Sequence, residues 1–256
     1  MKVREPITNQ RARMLALVGL ATFAGLWCLL SYADVVPTVI LPSPTEVLRA
    51  FPTLHSEEAL VRSAGWSLYR VTMGFLLSAA VAIPLGLLMG TFPAVKAFFA
   101  PLVDPLRFLP ISALVPLFLV WFGIEETMKI MLLFVGIFVY LLPLVVEAVE
   151  NVDEVYLNTA TTLGASRWQL VSQVLIPASS PAIGEALRVM NGIGWTYVIL
   201  AEIVNAPYGL GHLITVAGKR SHVDQIFAGV IVILLVGVMT DQLIRMVNKS
   251  LFSWAE

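Results

Sequence analysis

The sequence predicts an all-α polytopic membrane protein of about six transmembrane helices, with a cytoplasmic helix–Gly–helix loop between the fourth and fifth. Three observations carry this. Hydrophobic residues make up 58% of the 256 residues and charged ones 13%, with a mean hydropathy of +0.86. So few charges cannot cover the surface of a soluble domain of this length. Apolar runs approaching the ~20 residues that cross a bilayer recur at 14–33, 71–92, 108–122, 130–145, 183–204 and 223–247. One polar but weakly charged segment, "TLGASRWQLVSQVLIP" (162–177), lies between the fourth and fifth of these runs.

The first run follows a basic N-terminus and ends near Ser31-Tyr32-Ala33, a passable small-x-small cleavage site. Its apolar core exceeds the ~7–15 residues of a cleaved signal peptide, so a retained signal-anchor helix is expected. Next comes "LPSPTEVLRAF". Pro42 and Pro44 favour an extended entry, and Ser43 or Thr45 is placed to cap a short elbow helix through Val47, Leu48 and Phe51. The third run carries Pro110 and Pro116, which blur its ends, and the fifth is the most polar.

Orientation follows the Lys/Arg bias. With the N-terminus inside, Lys2, Arg4, Arg11, Arg13, Lys96, Arg107, Arg167, Arg245 and Lys249 fall in cytoplasmic segments. Arg49, Arg62, Lys129, Lys219 and Arg220 fall outside, and Arg70 and Arg188 within spans. Both termini and the 151–177 loop then face the cytoplasm.

Two short helices can be read in that loop. Asn151 or Asp153 caps the first, with Glu154 near its positive end, and Gly164 ends it as a left-handed residue. Ser166 and Gln169 fit the S-x-x-Q capping box that starts the second, and Pro177 interrupts or ends it. Trp168, Val171, Val174 and Leu175 share one face; Arg167, Gln169, Ser172 and Gln173 share the other. A helix lying flat on headgroups usually carries many Lys and Arg on its polar face, and this one has Arg167 alone. A face turned toward a protein groove accounts better for that composition.

At these residues the chain resembles the permease subunits of ABC importers, whose cytoplasmic loop reads E-A-A-x3-G-x9-I-x-L-P. Asn158, Thr159 and Ala160 stand at the E-A-A positions, followed at the right distances by Gly164, Val174, Ile176 and Pro177. The family's Glu is replaced by Asn158 and its first Ala by Thr159. The blocks "LPSPTEVLRAF", "SLYRVTMGFLLSAAVAIPLGLLMG", "PLRFLPISALVPLFLVWFGI" and "LGASRWQLVSQVLIPASSP" extend the resemblance over nearly the whole chain, toward permeases for nitrate, sulfonate, taurine and bicarbonate-type solutes.

The resemblance implies one permease domain over 1–256. Its parts are an N-terminal tail, first span and external elbow in 1–66, core spans in 67–247, and a coupling loop at 151–177. It implies that Asn158, Thr159, Ala160, Gly164, Ala165, Ser166, Val174, Ile176 and Pro177 meet a cytoplasmic ATPase. It further implies a second permease copy, two ATPase subunits that bind ATP and Mg, an external solute-binding protein and a bacterial inner membrane.

The residues themselves offer no energy source. The nearest phosphate-loop pattern is "GLGHLITVAGKRSH", but G-x4-G-K-[ST] requires Gly where Leu213 stands and Ser or Thr where Arg220 stands. On the fifth span Glu185, Arg188, Gly192, Trp195, Ile199 and Glu202 step by three and four along one side, flanked by Asn191 and Thr196. Ionisable residues within a membrane normally face protein or a wet cavity, so Arg188, Asn191, Trp195 and Glu202 are candidates for the pathway. Helix packing, with Glu185 paired to Arg188, is the competing reading. Arg107, at the mouth of the third span, is a candidate contact for a departing anion or an anchor paired with Asp104. Asp241 reads as an inter-helix partner.

An ion-coupled secondary transporter is the alternative function, but inverted repeats and a midplane ion site are not evident in the sequence. His55, His212 and His222 lie outside any HExxH helix, and no GxSxG elbow is present, so no catalytic or metal residue is expected. A net charge of −1 argues against nucleic acid as a partner.

Overall fold

The computed structural model describes residues 7–33 and 35–255, so Lys2 and Arg4 of the predicted basic cluster lie outside the described residues. The described chain is helical, with no strand. It runs α1 (Asn9–Tyr32), α2 (Pro44–Glu58), α3 (Leu60–Thr91), α4 (Pro93–Val103), α5 (Ile111–Phe122), α6 (Glu126–Glu150), α7 (Glu154–Thr162), α8 (Arg167–Gln169), α9 (Ile176–Ile203), α10 (Leu210–Lys219) and α11 (Val223–Leu251).

By length and composition α1, α3, α6 and α11 are each able to cross a membrane. The third predicted run is not one straight helix. Pro93–Phe108 and Ile111–Phe122 meet at a 107° bend, and counting them as one span gives five. Pro110 sits at the break, where it lacks an N–H and holds Leu109 extended (ψ 123°). The fifth predicted run is the 28-residue α9, long enough to cross but more polar than the others.

The chain forms two compact units, one from Met1–Ala59 with Leu213–Val230 and one from Leu60–His212 with Ile231–Glu256. In the first, Ser43 is the cap of α2. Its hydroxyl accepts from Glu46 N and its own N–H donates to the Glu46 carboxylate at 2.7 Å, a full capping box. Thr45 instead bonds the Tyr32 hydroxyl at 3.0 Å. Trp27 Nε1 donates to Pro42 O at 2.9 Å, tying α1 to the elbow.

In the second unit α3, α6 and α9 pack around a core containing Ala82, Ile137, Leu141, Val145, Ile183 and Met190. The approach of α3 to α6 is close because of glycine. A Cβ at Gly74, Gly86 or Gly90 would lie 2.6 Å from Leu133, Val145 or Val149. Lys129, predicted in an external loop, is inside α6 and 1% exposed, because that helix starts at Glu126.

Candidate functional site

The loop after α6 folds from its caps outward. Asp153, rather than Asn151, caps α7, accepting from Val155 N at 2.9 Å, with Glu154 in the first turn. The hydroxyls of Thr159, Thr161 and Thr162 each donate to the carbonyl four residues earlier, so all three are satisfied within the helix. Gly164 stands at φ +84°. Its N–H reaches Thr161 O at 2.9 Å and Ala165 N–H reaches Ala160 O at 3.0 Å, the paired bonds of a Schellman motif. Ser166 and Gln169 close the second capping box, with Ser166 N–H donating to Gln169 Oε1 at 2.8 Å.

Beyond that box the chain departs from expectation. The second helix does not end at Pro177. Leu170–Leu175 is a π-helical turn that runs directly into α9. The wider turn relieves the clash a proline ring makes with the carbonyl four residues back, so Pro177 is absorbed rather than terminal. The extra residue also rotates the predicted apolar face. Leu175 is buried, whereas Trp168 is 75% exposed.

The result is a knuckle with an apolar skin. Val155, Tyr156, Leu163 and Trp168 are exposed, and a cavity of about 760 Å³ separates α7 from the start of α9. Thr159, Ala160, Gln173, Val174 and Pro177 are among its walls. Asn158, Gly164, Ser166 and Ile176 are exposed, and Ala165 is half-buried.

The candidates on α9 divide between two neighbours. Arg188 pairs with Asp241 on α11 (Nε–Oδ1 2.8 Å) and with Glu185 at 3.2 Å. Asn191 Nδ2 and Trp195 Nε1 both donate to Thr240 Oγ1 at 3.0 Å. Glu202 turns to α3 instead. It accepts from Arg70 Nη1 at 2.8 Å, Ser67 Oγ at 2.7 Å and Gly211 N at 2.8 Å, and is fully buried. Gly209 (φ +146°) permits this approach, since a Cβ there would overlap the Glu202 carboxylate.

The side of α9 left exposed runs through Glu185, Val189, Gly192, Thr196 and Ile203. It shares Glu185 and Gly192 with the predicted stripe and is otherwise rotated by one residue. Arg107 is exposed on the 3₁₀ turn Asp104–Phe108, with its guanidinium 5.2 Å from the Phe108 ring and no ion pair to Asp104. It lines a cavity of about 170 Å³ with Lys96, Asp104, Glu147 and Glu150.

Sequence reasoning missed the full charge cluster. Arg70 grips Glu126 through two bonds (Nε–Oε2 2.6 Å, Nη2–Oε1 2.8 Å) and also donates to Tyr208 O at 2.7 Å. Lys129 meets Glu126 at 3.3 Å. Two cations and two carboxylates therefore neutralise one another where α3, α6 and α9 meet. The signal available in the sequence was Arg70 stranded within a span, which demands a partner. Among the described residues no group of three or more His, Cys, Asp and Glu is placed to hold a metal ion.

The family described as "Binding-protein-dependent transport system inner membrane component" matches residues 82–253. The taurine transport system permease protein of Escherichia coli K12 is 30% identical over 99% of this chain and 94% of its own length. A putative aliphatic sulfonates transport permease protein of Bacillus subtilis is 30% identical over 98% and 91%. Among solved structures, the inward-facing MetNI methionine ABC transporter superposes with a TM-score of 0.64 at 19% identity, covering 76% of this chain and 95% of that one, a likeness of fold. With its helical architecture, a family match over residues 82–253 and relatives aligned nearly end to end, this chain belongs to the binding-protein-dependent transport system inner membrane components.

Proposed function

We propose that the chain is the pathway-forming subunit of an ATP-driven importer for a small anion of the nitrate, sulfonate, taurine or bicarbonate type. The whole of 1–256 acts as one permease domain of six spans, with the bent α4–α5 pair and α9 among them and both termini cytoplasmic. Two copies pair. Two ATPase subunits, which carry the ATP and Mg, dock beneath them, and an external binding protein delivers the solute. This chain performs no chemistry of its own.

The observation that carries the reading is the knuckle at 151–177. It is capped at both helix starts, turned by a left-handed glycine and skinned with exposed apolar side chains. A rigid, apolar, weakly charged projection suits a protein groove rather than water. Asn158, Thr159, Ala160, Gly164, Ala165, Ser166, Val174, Ile176 and Pro177 would meet the ATPase. The π-helical turn joins that surface to α9 without a break, so closure of the ATPase pair moves α9 directly.

On α9, Arg188, Asn191, Trp195 and Glu202 belong to the pathway wall. Arg188 is the member nearest the solute, and the other three, buried in the single chain, fix the helix's rotation. Arg107 meets the departing anion on the cytoplasmic side. The test is to co-purify the permease with its ATPase from native membranes and measure ATP hydrolysis with the matching binding protein and a panel of anions. Hydrolysis stimulated by one anion with its binding protein supports the reading. Uptake that collapses with an uncoupler while ATP is maintained would replace it with ion-coupled transport.

A further inference from the structure

A cavity of about 450 Å³ opens between α3, α9 and α11, at the end of the bundle where α9 begins and α11 stops. Its volume lies within the ~300–1,000 Å³ of ordinary ligand sites. The walls are almost wholly apolar, with Phe75, Leu187, Leu243, Val247 and Phe252 prominent, and no charged side chain lines it among the described residues. Asn248 is the one amide among the lining residues. Its Nδ2 is buried and has no hydrogen-bond partner. A buried donor left unpaired in an apolar wall is an unstable arrangement unless something accepts from it.

The packing holds that amide in place. A Cβ at Gly184 would lie 2.9 Å from both Asn248 Oδ1 and the Phe252 ring, so only glycine lets the amide and the ring settle against α9. Depth in the bilayer then narrows the ligand. At ~1.5 Å per residue the 29 residues of α11 exceed the ~30 Å hydrocarbon core, so the last turn reaches the level of the lipid glycerol. Asn248 lies in that turn. An apolar cleft and a lone amide donor at the glycerol level match an acyl chain and its ester carbonyl.

We propose that this cavity binds a membrane glycerophospholipid, with one acyl chain between α3, α9 and α11 and its ester carbonyl accepting from Asn248 Nδ2. The site is independent of which solute is carried and of how the ATPase docks. Because it abuts the first residues of α9, lipid occupancy braces the helix that follows the knuckle.

The test uses the full-length permease in vesicles containing phosphatidylglycerol with a photoreactive diazirine on its acyl chain, followed by peptide mapping of the adducts. The proposal expects labelling of Phe75, Leu187 and Val247 well above that of the outward side of α1 at Phe23. Ser180→Phe, which fills the cleft, should lower cavity labelling about tenfold. Asn248→Leu, which removes the orphan donor and keeps the volume, should lower it about fivefold. Cavity labelling equal to that of Phe23, or unchanged in both variants, overturns the proposal. So does an efficient disulfide between two copies of Leu187→Cys, made in a Cys28→Ser background, because it would put a second permease where the lipid is placed.

Discussion

Replacing Gly164 probes the knuckle at its turning point. The residue holds φ +84° and donates to Thr161 O at 2.9 Å, so two separate properties are open to change. Alanine keeps the N–H but places a Cβ in the left-handed region, at ~1–2 kcal/mol. No neighbouring atom lies within 4 Å of that Cβ, so the backbone term is the whole effect. A shift of that size changes a two-state population by roughly 5–30-fold. Proline goes further, because its ring fixes φ near −65° and removes the N–H; the Schellman turn then cannot form. The assay is solute moved per ATP hydrolysed in proteoliposomes holding permease, ATPase and binding protein. Alanine should lower that ratio severalfold, and proline should abolish uptake while the ATPase still turns over. A proline variant with the wild-type ratio would refute the coupling role of the loop.

Other outcomes follow from the same geometry. Glu202→Gln leaves Arg70 short of a charge in a buried site and should cost about 3–5 kcal/mol, read as a lower unfolding midpoint of the purified permease. Thr240→Val deprives Asn191 and Trp195 of their shared acceptor and should cost about 1–3 kcal/mol, with a loss of protection on both α9 and α11 in hydrogen exchange. The Ser43 backbone N–H, and then its hydroxyl, hold the Glu46 carboxyl below its usual pKa. Its contribution is therefore complete above the ordinary carboxylate pKa and is lost as pH falls through the lowered value. Amide protection in the first turn of α2 should fade across that acidic window, and Glu46→Gln should remove the dependence.

What could be read in advance was local. Gly164, Ser166 with Gln169 and a cap at Ser43 or Thr45 act within a few residues, and cap chemistry depends only on that spacing. The Arg188–Asp241 pair was half legible, since Asp241 read as an inter-helix partner without its mate. The Arg70–Glu126–Glu202 cluster was not, because its members are separated by 56 and 132 residues and periodicity carries no information across such gaps. Trp168 and Leu175, grouped on one face by period, differ in burial because a π-helical turn lies between them, and no residue in 170–175 marks that turn. The side of α9 left exposed differs by one position from the predicted stripe for a related reason. The period locates a face, but the partners on α3 and α11 decide which side of it is covered.

The proposed coupling role requires the knuckle to be the surface the ATPase grips. Leu163 is 83% exposed at its tip and Val39 is 71% exposed on the elbow side of the chain. In the assembled transporter, with Cys28 replaced by Ser, a bifunctional cysteine reagent should join Leu163→Cys to the ATPase subunit and leave Val39→Cys free of it. An ATPase adduct at Val39 and none at Leu163 would contradict the assignment.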